Sequence, residues 1–178
     1  MNRPLLPVWR VSLLALIIAS IFWLGAVNIR AMIGNDMLKT GTLDFEQYID
    51  PEAEREIFRL LSFASIVIMI SYAVVLISGT VFLVTSPFRL RENGWLMMSA
   101  ILFYLFVPVE AFTIYLDGKI AYREFFTTEG NAVFRELFVA RVGALAGAPL
   151  VALLCYYTII VLAVFRPFTK SSRPADET

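Results

Sequence analysis

Charged residues are spaced so that four long runs of the chain hold almost none. Nineteen uncharged residues separate Arg10 from Arg30, 29 separate Arg59 from Arg89, and 24 separate Arg141 from Arg166. Between Glu92 and Asp117 lie 24 residues interrupted only by Glu110. About 20 apolar residues in a helix cross a hydrocarbon core of ~30 Å, so each run is long enough. Lipid offers no hydrogen-bond partners, so the backbone must satisfy itself, and helices are the expected form. Composition agrees: 59% of residues are hydrophobic and 17% charged, against roughly 45–50% and about 25% in soluble domains.

The expected fold is therefore an all-α integral membrane protein, a four-transmembrane-helix bundle in one domain over residues 1–168. The helices are placed at about 9–33, 51–86, 94–117 and 132–166, with a flexible polar tail over 169–178. The first run is longer than the h-region of a signal peptide, and Gly25-Ala26-Val27-Asn28 makes a poor cleavage site, so it reads as a retained anchor. A single cysteine, Cys155, excludes an internal disulfide and a cysteine-cluster metal site.

Counts of basic residues do not settle the orientation. One side carries Arg3, Arg10, Arg89, Arg91, Arg166, Lys170 and Arg173; the other carries Arg30, Lys39, Arg55, Arg59, Lys119, Arg123, Arg135 and Arg141. Short loops and the first helix weigh most. Arg89-Leu90-Arg91 lies in a very short loop, and the N-terminal tail has two arginines and no acid. The expectation is a multi-pass protein of the plasma (inner) membrane with both termini cytoplasmic.

A shift of 80 residues brings Arg55-Glu56-Ile57-Phe58 onto Arg135-Glu136-Leu137-Phe138, and Val81, Val84, Pro87 and Phe88 onto Val161, Val164, Pro167 and Phe168. Two readings stand: two tandem helical hairpins in parallel repeat, or the ordinary resemblance of apolar helices. In either case helices 2 and 4 start beyond the lipid and project on the outer side. Asp50-Pro51-Glu52 reads as an N-cap, a proline at the first helical position and an acid in the first turn. Asn131 is the corresponding cap expected for helix 4. Phe45, Tyr48, Tyr122, Phe125 and Phe126 suit the interface, and the bland reading of this end is a solvated cap.

Histidine is absent. That removes histidine-ligated metals and haem, serine–histidine or cysteine–histidine pairs, and histidine proton relays. No C-x-x-C motif, phosphate-cradling glycine loop or pair of buried aspartates is legible, so no catalytic residue, cofactor or metal is expected. The balanced 15 basic and 15 acidic residues give no argument for nucleic acid.

Two features remain. Glu110 lies ~22 Å along the helix from Trp95, where an acid must face protein or water. Its expected partners are Arg141 first, with Arg59 and Arg30, and Pro108 should kink the helix beside it. An ion pair that fixes the bundle is favoured over an intramembrane ion or proton site. Ala140, Gly143, Ala144, Gly147 and Ala148 place small residues four apart, a helix-packing face for another span or another chain. Pro149 should bend the helix just after it. Ser62, Ser65, Ser71, Ser78, Gly79 and Thr80 give helix 2 a similar small character. Tyr104, Tyr156 and Tyr157 lie deep enough to need hydroxyl partners.

These features point first to a non-catalytic small membrane subunit or scaffold, packed in a larger membrane complex or a homo-oligomer. The alternative is a small transporter or channel component using Glu110. A membrane enzyme is a third reading, requiring a metal or nucleophile from another chain. Expected partners are the lipid bilayer and other membrane subunits or further copies of the chain.

Overall fold

The structure, a computed structural model, describes residues 7–39, 41–46, 49–127 and 130–169. Arg3, Tyr48, Lys170, Arg173 and almost all of the expected polar tail lie outside these residues. Among the described residues the fold is all-helical and without strands. Four helical segments are long and apolar enough to span a membrane, so the chain is a multi-pass membrane protein.

The first span is α1, Val8–Asp36, and the second is α2, Pro51–Thr85. At 35 residues, α2 is ~52 Å long at 1.5 Å per residue, well beyond the hydrocarbon thickness. It begins as expected. The Asp50 side chain accepts hydrogen bonds from the backbone amides of Glu52 (3.1 Å) and Ala53 (3.5 Å), and Pro51 opens the helix. A face of α2 is lined by buried Ser62, Ser65, Ser71 and Ser78, whose hydroxyls donate to backbone carbonyls three or four residues back. These short side chains satisfy their own polarity within the helix, so α1 and α2 pack along much of their length.

Prolines interrupt the other two spans. The third consists of α3, Gly94–Leu105, and α4, Val107–Phe126. Pro108 has no amide proton to give the carbonyl four residues back, and the helix breaks at Phe106 (φ −96°, ψ 0°) before resuming. The helical chain runs on to Phe126, nine residues past the expected end at 117. The fourth span was expected as one bent helix from 132 to 166. It is instead α5, Asn131–Val142, a 3₁₀ turn at Ala144–Gly147, and α6, Ala148–Phe165. The ring of Pro149 cannot sit over a regular turn. The chain escapes it through left-handed conformations at Leu145 (φ 59°) and Gly147 (φ 87°).

Three apolar clusters stack along the molecule. At the end carrying the 86–93 loop, Phe82, Trp95 and Leu96 pack with Trp9 and Phe88. In the middle, the Trp23 ring lies 5.0 Å from Tyr72 and 4.7 Å from Tyr156. At the opposite end, Met37, Phe58, Leu61, Ile120, Phe134 and Phe138 form the third. Phe45 folds onto this last cluster, 5.9 Å from Phe138. That end is thus a packed cap, while Tyr122, Phe125 and Phe126 remain exposed.

Candidate functional site: a buried arginine–aspartate cluster

The continuation of α4 past residue 117 governs the site. Glu110, Thr113 and Asp117 are spaced i, i+3 and i+7, which puts them on one helical face. That face turns inward: Thr113 and Asp117 are buried, Asp117 to 1% exposure. A carboxylate so placed needs charge-assisted partners. Two arginines supply them. Both terminal nitrogens of Arg30 in α1 donate to the two Asp117 oxygens, a forked pair. Arg141, near the end of α5, donates through Nε to Asp117 Oδ1 at 2.8 Å. One carboxylate thereby ties α1, α4 and α5 together.

The sequence-predicted pairing is rearranged accordingly. Arg141, the first expected partner of Glu110, hydrogen-bonds to Asp117 and shares only the lining of a small cavity with Glu110. Arg30 is likewise held by Asp117. Arg59 is outside the cluster, in an exposed 3.8 Å contact with Glu56. Glu110 meets a hydroxyl instead: Tyr156 in α6 donates to Glu110 Oε1 at 3.2 Å. The expected search of the three deep tyrosines for partners is answered similarly elsewhere. Tyr104 pairs with the Thr80 hydroxyl at 2.7 Å, and Tyr157 accepts from Asn28.

Two cavities adjoin the cluster. A small one of about 40 Å³ is bordered by Trp23, Glu110, Thr113, Arg141 and Tyr156. A larger one of about 310 Å³ lies between α1 and the α5–α6 break, with Arg30, Asn35 and Arg141 as its polar walls.

The small-residue face does not form a continuous helical stripe. Ala140, Gly143, Ala144, Gly147 and Ala148 fall on the helix break, and Gly143 and Gly147 are both exposed. A Cβ built on Gly147 would meet nothing within 4 Å. Close approaches are found instead at Gly34, where a Cβ would lie 2.9 Å from the Phe138 ring, and at Gly94, where it would lie 2.8 Å from Phe168 Cβ. Asn131 is also not the cap of α5, since its side chain makes no capping hydrogen bond. Its amide donates at 3.0 Å to the carbonyl of Pro51 and to Glu54 Oε2.

Glu54, in the first turn of α2, anchors a second ionic group. Only 2% exposed, it accepts from Asn131 and from Nε and Nη2 of Arg135. These hydrogen bonds raise the Arg135 guanidinium above its ordinary value. Arg55 extends the group, 3.0 Å from Glu124 and with its guanidinium over the Phe134 ring.

Chemically, the central cluster can hold three helices in register and offer guanidinium nitrogens to the larger cavity. No group of three or more potential metal ligands from His, Cys, Asp and Glu comes together among the described residues. The sequence signal for Asp117 was its spacing from Glu110, masked by its position at the border of an apolar run. In comparisons with known protein families, curated proteins and solved structures, the chain matches none.

Proposed function

We propose that this chain is a non-catalytic subunit or scaffold of the plasma (inner) membrane, a four-helix bundle that packs in a larger membrane complex or a homo-oligomer. Both termini are cytoplasmic in this reading, and the starts of the second and fourth spans project on the outer side. The observation that carries it is the sharing of Asp117 by Arg30 and Arg141. A carboxylate engaged by two guanidiniums acts as a strut between helices, and breaking such a buried group is costly. The spans it joins present an apolar exterior, and a Cβ on Gly147 would meet nothing of this chain within 4 Å.

The test is purification at native expression level in mild detergent, with mass determination of the intact particle. A stoichiometric complex or a defined homo-oligomer is expected, and it should survive Glu110→Gln. A monomer that conducts protons or ions in liposomes, and loses that flux in Glu110→Gln, would replace this reading with the transporter or channel one. That second reading draws on the small cavity beside Glu110, where Tyr156 and Thr113 could accompany an ion or a proton.

A further inference from the structure

The larger cavity opens sideways. Its mouth includes Leu150, which is 64% exposed, and Val142, also exposed. Both flank the α5–α6 break, where Gly147 is left-handed. Since α1 and α6 are membrane-crossing helices, a gap between them faces acyl chains. Its walls are mostly apolar, including Val27, Ala31 and Leu153, and its polar groups gather at Arg30 and Arg141.

The donor inventory at Arg141 is uneven. A guanidinium carries five N–H groups. Among the described residues, Arg141 uses only its Nε in a protein hydrogen bond, to Asp117. Its side chain is 20% exposed, and it borders the cavity. Arg30 differs, having both terminal nitrogens on Asp117. Asp117 thus engages both guanidiniums, while Glu110 bonds to Tyr156 and borders Arg141 across the small cavity. The open donors of Arg141 therefore sit at the polar end of an apolar cleft of about 310 Å³. Planar guanidinium groups bind phosphate oxygens in forked pairs, and basic pockets between transmembrane helices receive anionic lipid headgroups.

We infer that the cleft between α1 and the α5–α6 break binds an anionic phospholipid, its phosphate on Arg141 and its acyl chain along Ala31, Leu150 and Leu153. The inference is independent of the scaffold reading: a complex could persist with this cleft empty of lipid, and the lipid could bind to a chain that assembles with nothing.

The experiment uses the full chain in nanodiscs of phosphatidylcholine with added phosphatidylglycerol, and native mass spectrometry of the lipid retained on release. Wild type should retain phosphatidylglycerol about tenfold over phosphatidylcholine at equal mole fraction, or ~1.4 kcal/mol. Arg141→Gln should abolish the preference. Ala31→Trp, which fills the cleft and leaves every charge in place, should abolish it too, with helical content unchanged by circular dichroism. If Ala31→Trp fails to fold, Leu150→Trp at the mouth makes the same test. A wild type without preference, or a folded cleft-filling variant that keeps it, overturns the assignment. Inorganic phosphate added to phosphatidylcholine nanodiscs separates a free anion from a lipid. If it raises the melting temperature as much as phosphatidylglycerol does, the site takes the anion alone and the lipid assignment fails.

Discussion

Asp117 and Glu110 are two turns apart on one helix, yet they bear unequal parts of the structure. Asp117 accepts from two buried or half-buried arginines, so Asp117→Asn leaves both cations without a carboxylate. Removing one partner of a buried ionic group costs ~3–5 kcal/mol. Asp117→Asn should therefore lower stability in detergent by about that amount, with Arg30→Gln partly restoring it in the double variant. Additive losses in that cycle, measured by reversible denaturation, would show that the pair is not coupled. Glu110 forms no ion pair as close as those of Asp117 and accepts from the Tyr156 hydroxyl, a bond that the oxygen of glutamine can keep. Glu110→Gln should change stability by less than ~1 kcal/mol, the ordinary value of one neutral hydrogen bond. A loss comparable to that of Asp117→Asn would mean that Glu110 carries charge for the cluster after all.

Among the elements, close packing depends on a glycine in α1 and not on those of the fourth span. Gly34 lies against the Phe138 ring, so Gly34→Leu should separate α1 from α5 at a cost of about 1–3 kcal/mol by overpacking. Gly25, on the same helix, has open space where a Cβ would be, and Gly25→Leu is the matched control. Equal melting temperatures for the two variants would remove the contact. Gly147 makes a different demand: its φ of 87° excludes most L residues whatever the space. Asparagine enters this region more readily than leucine. Gly147→Asn should thus be the milder change, with Gly147→Leu lower in melting temperature. The reverse order would show that side-chain contact governs this position and not backbone conformation.

For the molecule as a whole, the proposed orientation puts the 37–50 connection and the end of α4 outside. With Cys155 replaced by serine, single cysteines at Lys39 and Lys119 should react with an impermeant thiol reagent applied to intact cells. A cysteine at Arg91 should react only after permeabilisation. The opposite labelling would invert the protein and the proposal with it. The cap at the outer end would then lie in the cytoplasm, without change to its packing.

The spans, the Asp50 cap and the break at Pro108 were legible in the sequence, because each follows from a local rule. Apolar length makes a crossing, an acid before a proline caps a helix, and a missing amide interrupts one. Local rules also marked Glu110, but not Asp117 in the same helix, as an acid inside a span. They could not choose its partner, because that depends on which faces of α1, α4, α5 and α6 meet. Asp117 was visible only as the end of an apolar run. About two and a half further helical turns beyond it, buried at Ile120 and Ala121, turned that edge into an interior position. The small residues of the fourth span misled for a related reason. Spacing of four predicts a stripe only while the helix continues, and the Pro149 ring with two left-handed residues ends it there. Covalent geometry and solvent preference act along the chain and can be read from it. Charge pairing and close approach act between helices, and only the tertiary structure decides them.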